Sequence, residues 1–317
     1  MSLPRLIASD LDGTLLRNDG TLSPRTLRAL RAAEGAGAEI VIVTARPPRF
    51  VDRLAEATGL VGTAVCGNGA LVYDIATRTV VSSRTLPLTT ARRVATALAA
   101  AVPEVGFALE TGNQVLYEPA YRLRLCEDID AELPVPSLAD LWLTDAPVTK
   151  LLAWSERLDA DTLLAAARHG AGDEVQLTHS GGRGLLEISA PGVTKAGTLS
   201  MLCAGRGIAA AEVIAFGDMP NDLTVLSWAG TGYAMANAHP AVLAAVPVHT
   251  VSNEEDGVAH VIERLLAGSD RPGSDRPGSD RPGSDRPGSD RPGSDRPGSD
   301  RPGTDRPGSD RPGADGV

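Results

Sequence analysis

The 317-residue sequence predicts an α/β protein: a doubly wound parallel-sheet core, an inserted α+β module and a disordered C-terminal repeat tail. Three observations predict it. The first third alternates continuous apolar runs with helical periods, as strands covered on both faces of a parallel sheet do. Between about Leu86 and Ala190 hairpin-like strands mixed with helices replace that alternation, which then resumes. From Gly268 onward the chain repeats GSDRP nine times, once with Thr304 for Ser.

The elements follow in order. "RLIASDL" is a buried strand, and "SPRTLRALRAAEGAG" a helix with Ser23 at its N-cap, Pro24 in its first turn and glycines near its end. "AEIVIVTAR" is a second buried strand and "PPRFVDRLAEATG" a second helix. "ALVYDIATRTVVSSRTL" reads as a hairpin turning at "ATRT", followed by a helix in "TARRVATALAAAV". The strand-like pieces "VGFALET", "QVLYEP" and "PVTKLLAWS" come next, then the helix "DADTLLAAARHG" and the strands "VQLTHS" and "LLEISAP". The parallel pattern returns with the helix "TKAGTLSMLCAGRG", the strand "EVIAFGD", the helix "NDLTVLSWAG", the strand "TGYAMA", the helix "PAVLAAV" and a last helix, "GVAHVIERLLAG". Residues 1–85 and 191–267 thus read as one core in two parts, 86–190 as the inserted module and 268–317 as the tail. A cleft between core and module is the expected ligand site.

The tail has no apolar side chain to bury, so nothing offsets its ordering entropy. Its glycines recur every fifth residue, not every third, which excludes a collagen helix. As a flexible coil it would span roughly 40 Å. Without it the chain carries 21 Lys+Arg against 30 Asp+Glu, an acidic balance that argues against nucleic acid or an anionic membrane as partner. Cys66, Cys126 and Cys203 form no C-x-x-C pair and sit in apolar runs, as free buried thiols of a reducing compartment do. The N-terminus has no apolar signal core and no run reaches the roughly 18 apolar residues of a membrane span, so a cytoplasmic location is expected.

In a parallel core, side chains at the carboxyl ends of strands converge on one edge of the sheet. Asp10 and Asp12 end the first strand in "SDLDGTLL", Thr44 ends the second, Asp218 ends "EVIAFGD", and Lys195 opens the helix before it. Two carboxylates held by a turn, joined by a third from another strand, make an oxygen-rich site suited to Mg²⁺. Thr44 offers a hydroxyl and Lys195 a point charge, the groups that bind a phosphoryl oxygen and offset charge in its transfer. Asp10 would attack phosphorus as a carboxylate, and Asp12 would protonate the leaving oxygen and then take a proton from water. Gly13 permits the sharp turn and Thr14 fixes it by hydrogen bonding. Asp10 and Asp12 alone would equally suit an ordinary Asp-Gly turn; the ordered set of features favours chemistry.

"DLDGT" at Asp10–Thr14, "VIVTAR" with Thr44, Lys195, and "GDMPND" at Gly217–Asp222 resemble, in order, the four motifs of the haloacid dehalogenase superfamily. "GNGA" at Gly67–Ala70, "PGVTKAGTL", "AMANAHPAV" and the insert after the second motif resemble its Cof-type branch of phosphatases with a class II cap. The resemblance covers nearly all of Met1 to Ala267 and none of the tail. It implies a Rossmann-like core, an aspartyl phosphate at Asp10 and Asp12 as general acid/base. It further implies Mg²⁺ held by the Asp10 side chain, the Asp12 main-chain carbonyl and Asp218, with Asn221 and Asp222 supporting the metal and phosphate shell. Thr44 and Lys195 would bind the phosphoryl group. "KAG" departs from the Lys-Gly of many relatives, a change that bears on helix packing more than on charge.

Arg46 either reaches the substrate phosphate or pairs with a surface carboxylate, and Asn68 is either a turn residue or a substrate contact. Arg122, Arg124, Lys150, His179 and Arg183 are cap residues suited to a leaving group or to a solvated face. His239, before Pro240, reads as the start of a helix, and Trp142, Trp154 and Trp228 as packing residues. The expected activity is a Mg²⁺-dependent phosphatase acting on a small phosphorylated metabolite such as a sugar phosphate. A phosphomutase is the alternative within the superfamily, and a scaffold that recruits an unknown partner through the tail is the alternative of another class.

Overall fold

The computed structural model describes residues 3–123, 126–181 and 184–269; the repeat tail beyond them, apart from its first two residues, lies outside the described residues. The chain runs β1 (Leu6–Ser9), α1 (Pro24–Gly35), β2 (Glu39–Val43), α2 (Pro48–Thr58), β3 (Thr63–Cys66), β4 (Leu71–Asp74), β5 (Thr79–Ser83), α3 (Leu88–Ala101) and β6 (Gly106–Glu110). It continues through β7 (Val115–Tyr117), β8 (Glu132–Pro134), α4 (Leu138–Leu141), β9 (Lys150–Trp154), α5 (Ala160–Ala171), β10 (Gln176–Thr178) and β11 (Leu185–Ser189). Last come α6 (Lys195–Gly205), β12 (Val213–Gly217), α7 (Leu223–Trp228), β13 (Thr231–Ala234), α8 (Pro240–Ala245) and α9 (Gly257–Ser269).

One sheet has seven strands in the order β13-β12-β1-β2-β3-β4-β5. Its first five strands pair in parallel and the last two antiparallel, the hairpin turning between Asp74 and Thr79. Continuous apolar strands are explained by cover on both faces. In β1, Ile7 joins a cluster with Leu30 and Ala33 of α1 and Val258 and Ile262 of α9. Its neighbours Leu6 and Ala8 join the opposite cluster, with Leu199 of α6 and Val225 and Leu226 of α7. All four residues of β1 are buried, so burial of this strand is among the larger hydrophobic contributions, at about 25 cal/mol per Å² of apolar surface.

The other sheet, order β10-β11-β9-β6-β7-β8, comes wholly from the stretch between Gly106 and Ser189. All its pairings are antiparallel except β7 with β8. One face packs on α3 and α5 through Val94, Leu98, Phe107, Leu109, Leu151 and Leu163. The other carries a small cluster of Ala108, Val115, Tyr121 and Leu152.

Helix ends obey local chemistry. Ser23 Oγ accepts from Thr26 N–H at 3.0 Å, and Thr194 Oγ1 accepts from Gly197 N–H at 2.9 Å. The ring of His239 accepts from Ala241 N–H at 3.2 Å, which makes it the cap expected before Pro240. Two short elements, β8 and α4, carry too few periodic residues to be read from sequence. α9 runs through Gly268 and Ser269, two residues into the stretch read as tail, because a helix that is already formed propagates at little cost. Cys66 and Cys203 are buried free thiols; the side chain of Cys126 lies outside the described residues.

Candidate active site

β1 ends by a hydrogen bond from Asp10 N–H to Phe216 O, 3.1 Å, on its neighbour β12. The chain then makes one wide turn over Leu11–Leu15, closed by Leu16 N–H on Leu11 O at 2.9 Å. Gly13 holds φ +73°, and a Cβ there would lie 2.3 Å from Asp218 Oδ2. Glycine is therefore required twice, for the left-handed backbone and for the carboxylate packed against it. Thr14 Oγ1 donates to Asp218 Oδ1 at 2.8 Å.

Asp218 follows β12, and the turn after it is held by Asp222. Asp222 Oδ2 accepts from the Asp218 and Met219 N–H groups, both at 3.0 Å, and Oδ1 accepts from Lys195 Nζ at 2.5 Å. The same ammonium donates to Asp10 Oδ1 at 2.6 Å. Lys195 is 1% exposed, at the first position of α6. One cation thus faces three buried carboxylates. Burial pushes the Asp10 carboxyl well above the usual range; Lys195 pulls against it, while Asp222, Asp218 and Asp12 add to the rise. Burial, then Asp222, pushes Asp218 up to about 7 against the Thr14 hydrogen bond and the Lys195 charge. Burial alone would lower the Lys195 pKa, but Asp10 and Asp222 outweigh it and raise it.

An all-oxygen donor set with surplus buried negative charge fits a hard divalent cation. Asp10, Asp218 and Asp222 each bring one oxygen within 4.8 Å of the others. Both oxygens of Asp222 already accept hydrogen bonds, so Asp222 braces the loop while Asp10 and Asp218 keep the more available donors.

Thr44 closes β2, fully buried, and its Oγ1 accepts from Arg46 N–H at 3.0 Å. Arg46 grips Asp12 with both arms of its fork: Nε to Oδ2 at 2.7 Å and Nη2 to Oδ1 at 2.6 Å. Its partner is the proposed acid/base itself rather than an incidental surface carboxylate. Its guanidinium also stacks 4.6 Å from the Phe50 ring, which Arg49 and Arg53 approach at 5.5 and 4.9 Å.

Asn68, at φ +59°, is the turn residue that the sequence allowed. Its side chain is committed as well: it accepts from Asn221 Nδ2 at 3.0 Å and donates to Glu187 Oε2 at 2.5 Å, and it does not line the cavity. Glu187, on β11, also accepts from Lys150 Nζ at 2.9 Å and from Ser180 Oγ. Burial would raise its carboxyl, yet Lys150, the Ser180 hydrogen bond and Lys195 together hold it below the usual range. Lys150 completes the chain by donating to Ala45 O at 2.8 Å, between Thr44 and Arg46.

Asp10, Asp12 and Asn221 open onto a cavity of about 340 Å³ whose opposite wall is the six-stranded sheet. Of the cap residues singled out in the sequence, Lys150 lines it. His179 is buried beside Asp161 instead, with Nε2 at 3.0 Å from Oδ1, and Arg122 is exposed, 3.8 Å from Glu156. Arg124 and Arg183 lie outside the described residues. Sequence reasoning missed Arg49, Glu110, Asp128 and Glu187, all cavity-lining. A signal existed for two of them: Glu110 and Glu187 interrupt apolar strands, where a carboxylate needs a buried partner.

Comparison with known proteins agrees with this geometry. A family model described as haloacid dehalogenase-like hydrolase matches residues 7–262. The Bacillus subtilis protein YxeH is 31% identical over 270 residues, covering 83% of this chain and 98% of its own. The pyridoxal phosphate phosphatase YbhA of Escherichia coli is 30% identical over 268 residues, covering 81% of this chain and 97% of its own. A solved haloacid dehalogenase-like hydrolase from B. subtilis superposes with a TM-score of 0.72 at 25% identity, over 83% of this chain and all of its own. With its sheet order, its four motifs and this match over most of its length, the chain belongs to the haloacid dehalogenase-like hydrolase family.

Proposed function

We propose that the protein is a Mg²⁺-dependent phosphatase that hydrolyses the phosphate monoester of a small metabolite through an aspartyl phosphate at Asp10. The observation that carries this reading is the meeting of Asp10 and Asp218, at the ends of adjacent strands, with Lys195 at the start of α6, and with Asp12 beside the cavity. Asp10 forms a bond to phosphorus as the ester P–O bond breaks, and the proton for the departing oxygen comes from Asp12. Asp12 then takes a proton from the water that attacks the aspartyl phosphate, releasing inorganic phosphate and restoring Asp10.

Arg46 occupies both oxygens of Asp12, so it must let go before Asp12 can meet a leaving oxygen. A phosphoryl group in the cavity is the anion that would draw it off. Thr44 and Asn221 offer polar groups to that phosphoryl, and Lys195 balances its charge. Mg²⁺, held by Asp10, Asp218 and the Asp12 main-chain carbonyl, would supply further charge neutralisation. Residues 86–190 act as the cap that supplies the substrate-facing wall. Among the described residues no helix is long and apolar enough to cross a membrane, and the two buried thiols accord with a cytoplasmic protein.

The test is a panel of phosphorylated sugars, nucleotides and cofactors with and without Mg²⁺, followed by borohydride reduction of rapidly quenched enzyme. Phosphate release with Mg²⁺ and homoserine at position 10 are expected. Activity undiminished by EDTA, or homoserine at another aspartate, would overturn the reading. Transfer of phosphate to an added sugar in place of its release would mark a mutase.

A further inference from the structure

The cavity beside Asp10 and Asp12 is lined by charges that are already matched. Arg49, on α2, donates to Asp128 from Nε at 2.7 Å and Nη2 at 2.5 Å, to Glu110 from Nη1 at 2.9 Å and Nη2 at 2.8 Å, and to Gly112 O at 3.0 Å. The two carboxylate side chains are 4% and 3% exposed. Lys150 is spent on Glu187 and Ala45 O, and Arg46 on Asp12. Every arginine or lysine that lines the cavity among the described residues is therefore held by a carboxylate. The surface between these pairs is mostly apolar, made by Val115, Tyr121, Leu123, Leu152 and Leu185, with Glu132 and Ser180 as its polar members.

A leaving group with a second phosphate or a carboxylate meets, among the described residues that line the cavity, only these cations. Taking Arg49 would strip two nearly dry carboxylates of their partner, and taking Lys150 would strip Glu187. Removing one member of a buried pair is far costlier than never burying the pair. A neutral or cationic leaving group meets the apolar wall and leaves the Arg49 and Lys150 pairs intact.

Resting on the phosphatase reading above, we propose that this cavity selects monoesters whose leaving group is neutral or cationic and partly apolar, and that it discriminates against leaving groups bearing a second anionic group. The Arg49–Glu110–Asp128 cluster sets this preference by withholding its guanidinium from substrate.

Three esters that differ only in remote charge provide the test: benzyl phosphate, 4-(aminomethyl)benzyl phosphate and 4-carboxybenzyl phosphate, with the full chain and Mg²⁺. The methylene insulates the reacting oxygen, so leaving-group chemistry is nearly constant. kcat/KM for the carboxylate is expected at least tenfold below that for benzyl phosphate, with the amine equal to or above it. Glu110→Gln together with Asp128→Asn should release Arg49 and narrow the gap at least tenfold, a change that general loosening of the fold would not produce. Equal or better turnover of the carboxylate by the wild type overturns the proposal even if the double variant fails to fold. Should none of the esters be hydrolysed, the phosphatase reading fails by itself. Calorimetric affinities of the three for the Asp10→Asn protein then decide the charge preference separately, and equal affinities would sink it.

Discussion

Gly13→Ala tests the claim that the turn after β1 is built around the Asp218 carboxylate. At φ +73° an alanine pays about 1 kcal/mol for a left-handed backbone. Its Cβ would also stand 2.3 Å from Asp218 Oδ2, where ordinary contact begins at 3.4 Å, so the carboxylate must retreat by about an ångström. That motion breaks the 2.8 Å hydrogen bond from Thr14, a bond to a charged group worth about 1.5–3 kcal/mol. Together these cost about 3 kcal/mol, or roughly 6–12 °C in Tm for a body of this size. If Asp218 helps hold Mg²⁺ as proposed, displacing its carboxylate should weaken Mg²⁺ roughly 10–100-fold, as losing an orienting partner does. Gly20→Ala is the internal control, since φ is +79° there with nothing within 4 Å of the added methyl. It should carry the backbone cost alone and leave Mg²⁺ binding unchanged. Thermal denaturation and Mg²⁺ titration of both variants supply the comparison. If Gly13→Ala matched Gly20→Ala in both, the Asp218 carboxylate would not be packed against this turn.

Three further predictions concern the charges. Asp12→Asn should lower kcat by about 10² to 10⁴, the usual yield of general acid/base catalysis, with a smaller loss on esters with good leaving groups and aspartyl phosphate accumulating at Asp10. Equal losses on all esters would remove Asp12 from that role. Lys195→Met should destabilise the metal-free protein by about 3–5 kcal/mol, because Asp10 and Asp222 lose the cation buried between them, and Mg²⁺ should restore part of it; an unchanged denaturant midpoint would contradict the buried network. The Asp218 carboxyl, raised to about 7, is most stable protonated, so its contribution is complete below the unfolded pKa of about 4 and lost as pH rises toward 7. Asp10, also raised, acts in the same sense. The gain in Tm given by Mg²⁺ should therefore grow between pH 5 and 8, with proton release on binding seen by calorimetry in buffers of different ionisation enthalpy. A gain independent of pH would refute it.

The parallel strands and capped helices were legible because local chemistry and burial pull the same way. "LIAS" and "EIVIV" have no polar face to show water, and Ser23 can hardly serve other than as a cap. Asp10 and Asp218 were legible because strand ends in a parallel sheet converge whatever their spacing in sequence, and Lys195 because it opens the helix that leads into β12. The commitment of Asp222 to two backbone N–H groups, and of Arg46 to Asp12, was not. Nothing in spacing says which of several nearby charges a flexible fork will choose. The Arg49 cluster was hidden for a related reason: its partners lie 61 and 79 residues away, Glu110 in the six-stranded sheet and Asp128 in a short helical turn, distances that no local pattern spans.

The pairing of β1 with β12 brings Leu6 against Val213, across the whole inserted stretch. In a chain made from its N-terminus, β1 can gain β2 early, but its other edge stays naked until more than two hundred residues have followed. Closing so long a loop is slow although its thermodynamic cost grows only as the logarithm of length. The six-stranded sheet, contiguous in sequence, is free to form during that wait, while β1 offers an apolar edge to any other chain. The candidate site is thus completed late in synthesis: a nascent chain stalled before Val213 already holds Asp10 and Lys195 but lacks Asp218 and Asp222, the carboxylates that gather around them.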